Sequence, residues 1–306
     1  MVFTRGEDTL SDLARAYGLG YDELLAANPD VDPWLPGDNT PVLLPTQYVL
    51  PDVPREGIVL NIASRRLFYF PVVPEGQAAV VQTYPIGIGR VGWETPLGTT
   101  EVTAKAKDPH WYVPLSVRQE HAESGNPLPS VIPPGPDNPL GHRVLKLGMP
   151  GYLIHGTNQP FGVGMRVSHG CVRLYPENIE YLYELVDIGE PVNIVNEPFL
   201  IGQLDGEWYF EGHEPLEDDL IGSEQRLQQL IENHAAVDGI DYVRSIASNA
   251  NGVPSRLGYA SAEDVLARAR LVRNTVVVDP DAPTLMEVRE MIDEAVEEAR
   301  QEAESL

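Results

Sequence analysis

Tyr152-Leu153-Ile154-His155-Gly156-Thr157 and, a short loop later, Val167-Ser168-His169-Gly170-Cys171-Val172-Arg173 carry most of the information in this chain. The apolar run ending in His155 reads as a strand returning to a sheet, and Cys171 stands shortly before a helix that begins at Pro176. Cys171 is the only cysteine of the chain. A free thiol is mostly protonated at neutral pH, and a neighbouring imidazole can both take its proton and stabilise the thiolate. If the loop folds back, His155 comes within reach of the sulfur. His169, two residues before Cys171, shares its face in an extended stretch. Gly170 clears the approach of a carbonyl and leaves backbone N–H groups for an oxyanion, while Arg173 adds a fixed positive charge suited to a carboxylate. Taken singly, a lone cysteine is more often a small buried hydrophobe and an isolated histidine a hydrogen-bonded side chain. The combination carries the chemistry.

Outward from this stretch the periodicity changes three times. In the first 45 residues Leu10, Leu13, Ala14 and Tyr17 define a helix closed by Gly18; Tyr21, Leu24 and Leu25 define a second, stopped at Asn28-Pro29; and Val42-Leu43-Leu44 reads as a strand. Residues 46–56, with Pro51 and Pro54, read as a linker. From 57 to 196 a period of two takes over. Val59 to Asn61 and Leu67 to Phe70 flank a turn near Ser64-Arg65, Ala78 to Tyr84 supplies another strand, and Val192 to Val195 closes the domain after a helix with Ile179, Leu182 and Val186 inward and Gly189 at its end. The proline-dense stretch 105–145 is a long ordered excursion over one face, in the manner of a lid. In 197–306, Phe199 to Leu204 and Glu207 to Phe210 are joined by Asp205-Gly206, a strong hairpin signal. Helices follow: one places Leu227, Leu230 and Ile231 on a face, and two are opened by Ser261 with Asp264 and Thr284 with Glu287. The acidic stretch Glu294 to Glu304 reads as a solvated helix face.

The 306 residues hold 21 basic and 46 acidic side chains, a formal net charge of −25. Such a surface repels nucleic acid and anionic membranes, and no apolar run is long enough to span a bilayer. The start, Met1 to Gly6, carries no secretory signal and reads directly into a folded pattern, as in a chain whose export signal has been removed.

The His-Gly-Thr and Ser-His-Gly-Cys-Val-Arg pattern resembles the catalytic signature of the L,D-transpeptidases of YkuD type, with Gly87-Ile88-Gly89 and Thr95-Pro96-Leu97-Gly98-Thr99 resembling the turn and strand before that family's lid. The segment Pro134 to Gly141 is similar to the subgroup that attaches lipoprotein to the cell wall. Gly6-Glu7-Asp8-Thr9-Leu10-Ser11, Ala27-Asn28-Pro29 and Leu35-Pro36-Gly37 sit where a LysM module carries its motifs, although its usual Gly-Asp-Thr is stretched here by Glu7. These resemblances imply a mainly β catalytic domain, a β-sandwich with one or two helices, behind a small βααβ LysM domain and before an α-rich C-terminal extension. They imply Cys171 as nucleophile, His155 as general base and later acid, and the Gly156 carbonyl orienting the imidazole. Ser168, His169, Gly170 and Arg173 would shape the site around acyl group and substrate. No cofactor or metal is implied. The partners would be peptidoglycan glycan strands and stem peptides, with an outer-membrane lipoprotein as a further acceptor, in the periplasm or on the wall.

Three other readings compete. The spacing of the seven histidines and the cysteine matches no zinc pattern. A papain-like protease has its cysteine before its histidine, the reverse of the order here. A pure wall-binding scaffold has no use for a Cys/His pair. Within the enzyme reading the acyl group can pass to an amine or to water, and the sequence does not choose.

Overall fold

The computed structural model describes residues 1–74, 76–248 and 251–257. The helices opened by Ser261 and Thr284 and the acidic stretch after Glu294 lie outside the described residues. The N-terminal unit comprises β1 (Val2–Phe3), α1 (Leu10–Ala16), α2 (Tyr21–Ala27) and β2 (Pro41–Val42), with β1 and β2 antiparallel. Thr9 and Asp12 form a reciprocal capping box that satisfies two of the amides a helix start leaves without partners. Leu10, Leu13 and Ala14 then face a small core with Leu19, Leu24 and Val42. The strand expected over Val42 to Leu44 stops at Val42. Beyond it Leu43 N–H donates to Asn28 Oδ1 at 2.7 Å and so leaves the ladder.

The central domain supplies β3 (Gly57–Asn61), β4 (Arg66–Phe70), β5 (Gln82–Pro85), β6 (Ile88–Gly89) and β7 (Gly98–Lys107). The excursion follows, with β8 (Trp111–Tyr112), α3 (Leu115–Glu123) and β9 (Val131–Ile132). The chain returns through β10 (Arg143–Leu147), β11 (Leu153–His155), β12 (Arg166–Ser168), β13 (Val172–Arg173), α4 (Pro176–Leu185) and β14 (Pro191–Val195). Eight strands pair in the order β13-β11-β10-β7-β14-β3-β4-β5, and β6 pairs with β12 in a separate ribbon. In place of the two separate layers of a sandwich, pairing is continuous through β7. Its residues Gly98 to Glu101 pair with β14, and Val102 to Lys107 with β10. Residues of both arms, among them Ile58, Leu60, Leu145 and Ile154, share one core with Ile179 and Leu182 of α4. Burying each of these aliphatic side chains contributes about 1.5–3 kcal/mol. The strand expected from Ala78 begins only at Gln82, because residues 78–81 are exposed and have no strand partner. Helix α4 ends at Leu185, and Gly189 lies in the turn that follows.

The excursion between β7 and β10 is ordered by polar contacts as well as by proline. Asn138, fully buried, donates from Nδ2 to the Pro109 carbonyl at 2.7 Å and the Pro133 carbonyl at 3.1 Å, and accepts the Leu140 N–H at Oδ1. Three stretches of the loop thus meet at one side chain.

The N-terminal unit is firmly seated on this domain. Tyr21 N–H donates to the Val163 carbonyl at 3.2 Å and the Tyr175 hydroxyl to the Leu19 carbonyl at 3.0 Å. Gly164, at φ +85°, packs on Gly20; a Cβ there would lie 2.3 Å from Gly20 Cα. Buried Arg66 on β4 pairs with Glu23 of α2 at 2.5 Å and lies 4.0 Å from the Tyr48 ring centre. The connecting segment therefore has no regular structure but packs tightly, with Tyr48, Leu50 and Val53 against Phe68 and Phe70.

The C-terminal part forms the expected hairpin, β15 (Phe199–Leu204) and β16 (Glu207–Gly212), around Asp205-Gly206. It continues through α5 (Leu220–Asn233) and α6 (Val243–Ala247) to β17 (Ser255–Arg256), which adds a third strand beside β16. Leu227, Leu230 and Ile231 pack on this hairpin as the helical spacing predicts.

Candidate active site

β11 and β13 run parallel, with Ile154 opposite Val172 and His155 opposite Arg173. Ile154 and Val172 are buried in the core. Because side chains alternate along strands, Leu153 and His155 of β11 and Arg173 of β13 project from the opposite face, and Cys171 directly precedes β13. The register sets His155 opposite Arg173, two residues beyond Cys171.

His155 is 3% exposed, and its Nδ1–H donates to the Gly156 carbonyl at 2.6 Å. That bond fixes the tautomer and leaves Nε2 as the unprotonated ring nitrogen. Burial, followed by the charge of Arg173, pushes the imidazole pKa down to about 3, with the bond to Gly156 working the other way. Gly156 is held in turn by its own N–H, donated to the Arg143 carbonyl at 3.2 Å. Thr157 accepts the Gln159 N–H at 2.9 Å and serves the turn.

Cys171 is half-buried, and its thiol donates to the Gly151 carbonyl at 3.6 Å. Burial raises its pKa, while the Leu153 N–H and the charge of Arg173 oppose the rise. Thiol and imidazole are thus both neutral at rest. Arg173 Nε is buried without a hydrogen bond among the described residues.

The loop before Cys171 is organised from within. Ser168, 1% exposed, donates from Oγ to the Cys171 carbonyl at 2.6 Å and accepts the Gly170 N–H at 3.1 Å. Of the backbone N–H groups expected to be left for an oxyanion, that of Gly170 is already used. The Cys171 N–H has no acceptor among the described residues. Gly170 sits at φ +99°, and a Cβ there would meet Tyr152 Cε1 at 2.9 Å, so no other residue fits.

His169 points away from the sulfur and toward the excursion. Its Nε2–H donates to Glu120 of α3 at 2.7 Å, the other carboxylate oxygen of Glu120 pairs with Arg90, and the imidazole packs edge-on against Trp93 at 4.8 Å. Burial lowers the His169 pKa, with Glu120 opposing, and the Arg90 and His169 hydrogen bonds hold the Glu120 carboxyl below its ordinary value. Arg90, Trp93 and Glu120 escaped the sequence reading. Arg90 directly follows the quoted Gly87-Ile88-Gly89, a hint of proximity, whereas Glu120 has no signal separating it from any acidic residue on an exposed helix.

Among the described residues, no cluster of three or more histidine, cysteine or carboxylate side chains forms a metal site, and no helix is long and apolar enough to cross a membrane.

The profile of the L,D-transpeptidase catalytic domain (YkuD) matches residues 55–194. The probable L,D-transpeptidase YcfS of Escherichia coli is 42% identical over 224 residues, covering 72% of this chain and 69% of that protein. The probable L,D-transpeptidase YbiS of the same organism is 40% identical over 259 residues, covering 81% and 83%. The crystal structure of L,D-transpeptidase 3 from Mycobacterium tuberculosis aligns with a TM-score of 0.33 at 20% identity, over 46% of this chain and 61% of that one. With a mainly β domain, a histidine on β11 and a cysteine directly before β13, and relatives aligned over most of their lengths, the chain belongs to the YkuD family of peptidoglycan L,D-transpeptidases.

Proposed function

We propose that Cys171 is the nucleophile of a two-step acyl transfer and His155 its base. The observation that carries this reading is the β11–β13 register, which sets His155, its Nδ1 bonded to the Gly156 carbonyl, opposite Arg173 on the strand that Cys171 precedes. Nε2 takes the thiol proton as sulfur attacks the carbonyl of the third residue of a stem tetrapeptide. The Cys171 N–H meets the developing oxyanion. On collapse the C–N bond breaks, His155 returns the proton to the departing D-alanine amine, and a thioester remains. An incoming amine gives its proton to His155 and attacks the thioester; the C–S bond breaks and the thiol is restored. Gly156 keeps the imidazole in the required tautomer throughout. Arg173 meets a substrate carboxylate, while Ser168 and Gly170 hold the loop and His169 ties it to the excursion, residues 108–142, which acts as a lid.

The acceptor in this reading is the side-chain amine of a second stem's diamino acid, giving a 3-3 cross-link, or the C-terminal lysine of an outer-membrane lipoprotein. The strand, helix, helix, strand order of residues 2–42 supports a LysM-type module that binds glycan and brings wall to the thiol. The reading places the enzyme in the periplasm or on the wall as an exported protein.

Incubation with isolated walls followed by muropeptide analysis tests this. Wild type yields new 3-3 cross-links or lipoprotein-linked muropeptides, and Cys171→Ala yields neither. Release of tripeptides alone would assign water as the acceptor. Retention of either transfer product by Cys171→Ala would overturn the reading.

A further inference from the structure

We propose that Thr95, outside both halves of the catalytic signature, is a positioning residue that aims the Cys171 N–H at the acyl oxygen. The proposal rests on the reading of Cys171 as nucleophile. Thr95 is buried, and its Oγ1 accepts the Gly89 N–H at 3.1 Å. A hydroxyl has one proton to give, and with Gly89 supplying an incoming bond, that proton goes to the Gly170 carbonyl, 2.9 Å away. The Gly170–Cys171 peptide is planar and trans, so its C=O and N–H point in opposite directions. Anchoring the carbonyl on the Thr95 side turns the Cys171 N–H to the other side, where it has no acceptor among the described residues.

A peptide that follows glycine is the easiest in a chain to rotate, because Gly170 at φ +99° meets none of the steric barriers that confine other residues. The other polar groups around it are held by Ser168: Gly170 N–H through Oγ, and the Cys171 carbonyl through the same oxygen. Only Thr95 holds the Gly170 carbonyl itself among the hydrogen bonds described. The anchor is itself anchored. Gly89 sits on β6, its carbonyl accepts Arg166 Nε at 3.0 Å, and Arg166 pairs with Asp218 at 2.6 Å. A Cβ at Gly89 would lie 1.9 Å from the Trp93 carbonyl, so this strand passes Thr95 at a fixed distance.

Thr95→Val keeps the shape and removes the hydroxyl, and Thr95→Ser keeps the hydroxyl. Two reactions of the Cys171 thiol separate positioning from a general effect. Acylation by a carbapenem passes through an oxyanion, and alkylation by iodoacetamide does not. Thr95→Val is expected to slow acylation roughly 10- to 100-fold, somewhat less than full loss of an oxyanion donor. Alkylation of Cys171 should stay at the wild-type rate, and Thr95→Ser should restore acylation. Unchanged acylation in Thr95→Val, an equal fall in both reactions, or no rescue by serine would overturn the proposal. A wild-type protein that forms no carbapenem adduct on Cys171 would overturn the nucleophile reading and this proposal with it, an outcome recognised because wild type and variants then behave alike.

Discussion

Glu23→Gln tests how firmly the N-terminal unit is joined to the catalytic domain. The side chains of Arg66 and Glu23 are 2% and 9% exposed, so neither charge is solvated when its partner is lost. Glutamine still accepts the Gly20 N–H that Glu23 accepts at 2.9 Å, which isolates the loss of charge. Arg66 would keep a bond from Nη1 to Thr83 at 3.2 Å and its place over the Tyr48 ring, but its Nε already lacks a partner. Breaking a buried pair on one side costs about 3–5 kcal/mol, and the surviving contacts put this case near 3 kcal/mol. For a chain of 306 residues that lowers Tm by about 5 °C. Replacing both partners, as Glu23→Leu with Arg66→Met, removes the stranded charge and returns the stability to within about 1 kcal/mol of wild type. Urea unfolding of the four proteins of that cycle, with Glu23→Gln alongside, gives each value at one salt concentration. A loss below about 1 kcal/mol in Glu23→Gln, or a double variant no better than the worse single one, would refute the argument that this pair clamps the two parts together.

Two further outcomes follow from the site. Burial keeps His155 neutral with a pKa near 3, whereas an unfolded imidazole titrates near 6.5. Between those values the unfolded chain binds a proton that the native state does not, so stability falls as pH drops through this window, by about 5 kcal/mol in all. His155→Gln should flatten the dependence of the urea midpoint on pH between 3 and 6.5; parallel curves for variant and wild type would show that His155 is not the group responsible. Glu120→Gln loosens the tie between α3 and His169, so tryptic cleavage at Arg118 should accelerate severalfold while the rest of the chain keeps its protection. An unchanged digestion rate would mean that α3 is held by other contacts.

What the sequence determined by itself is local. Thr9 and Asp12 cap α1, Asp205-Gly206 turns a hairpin, and the spacing of Ile179 and Leu182 buries one face of α4, because caps, turns and periodicity act within a few residues. That the loop after β11 folds back was legible for a related reason: it is short, and one strand pairing sets His155 opposite Arg173. Helix α3 was not, since it lies in a proline-rich stretch and buries only Val117. Nor was β17, whose two residues become a strand only when β16 is already in place beside them. The contacts that complete the site join residues far apart in the chain: Thr95 to Gly170, Glu120 to His169, Glu23 to Arg66. No local preference encodes them, because a threonine hydroxyl or a carboxylate has the same chemistry wherever it stands. Their partners are chosen by the route of the sheet through β7 and by the seating of the N-terminal unit on the loop before β12. The sequence alone thus names the groups proposed to react, and the tertiary structure decides how their neighbours are held: Gly170 N–H is occupied by Ser168, and Cys171 N–H has no acceptor among the described residues.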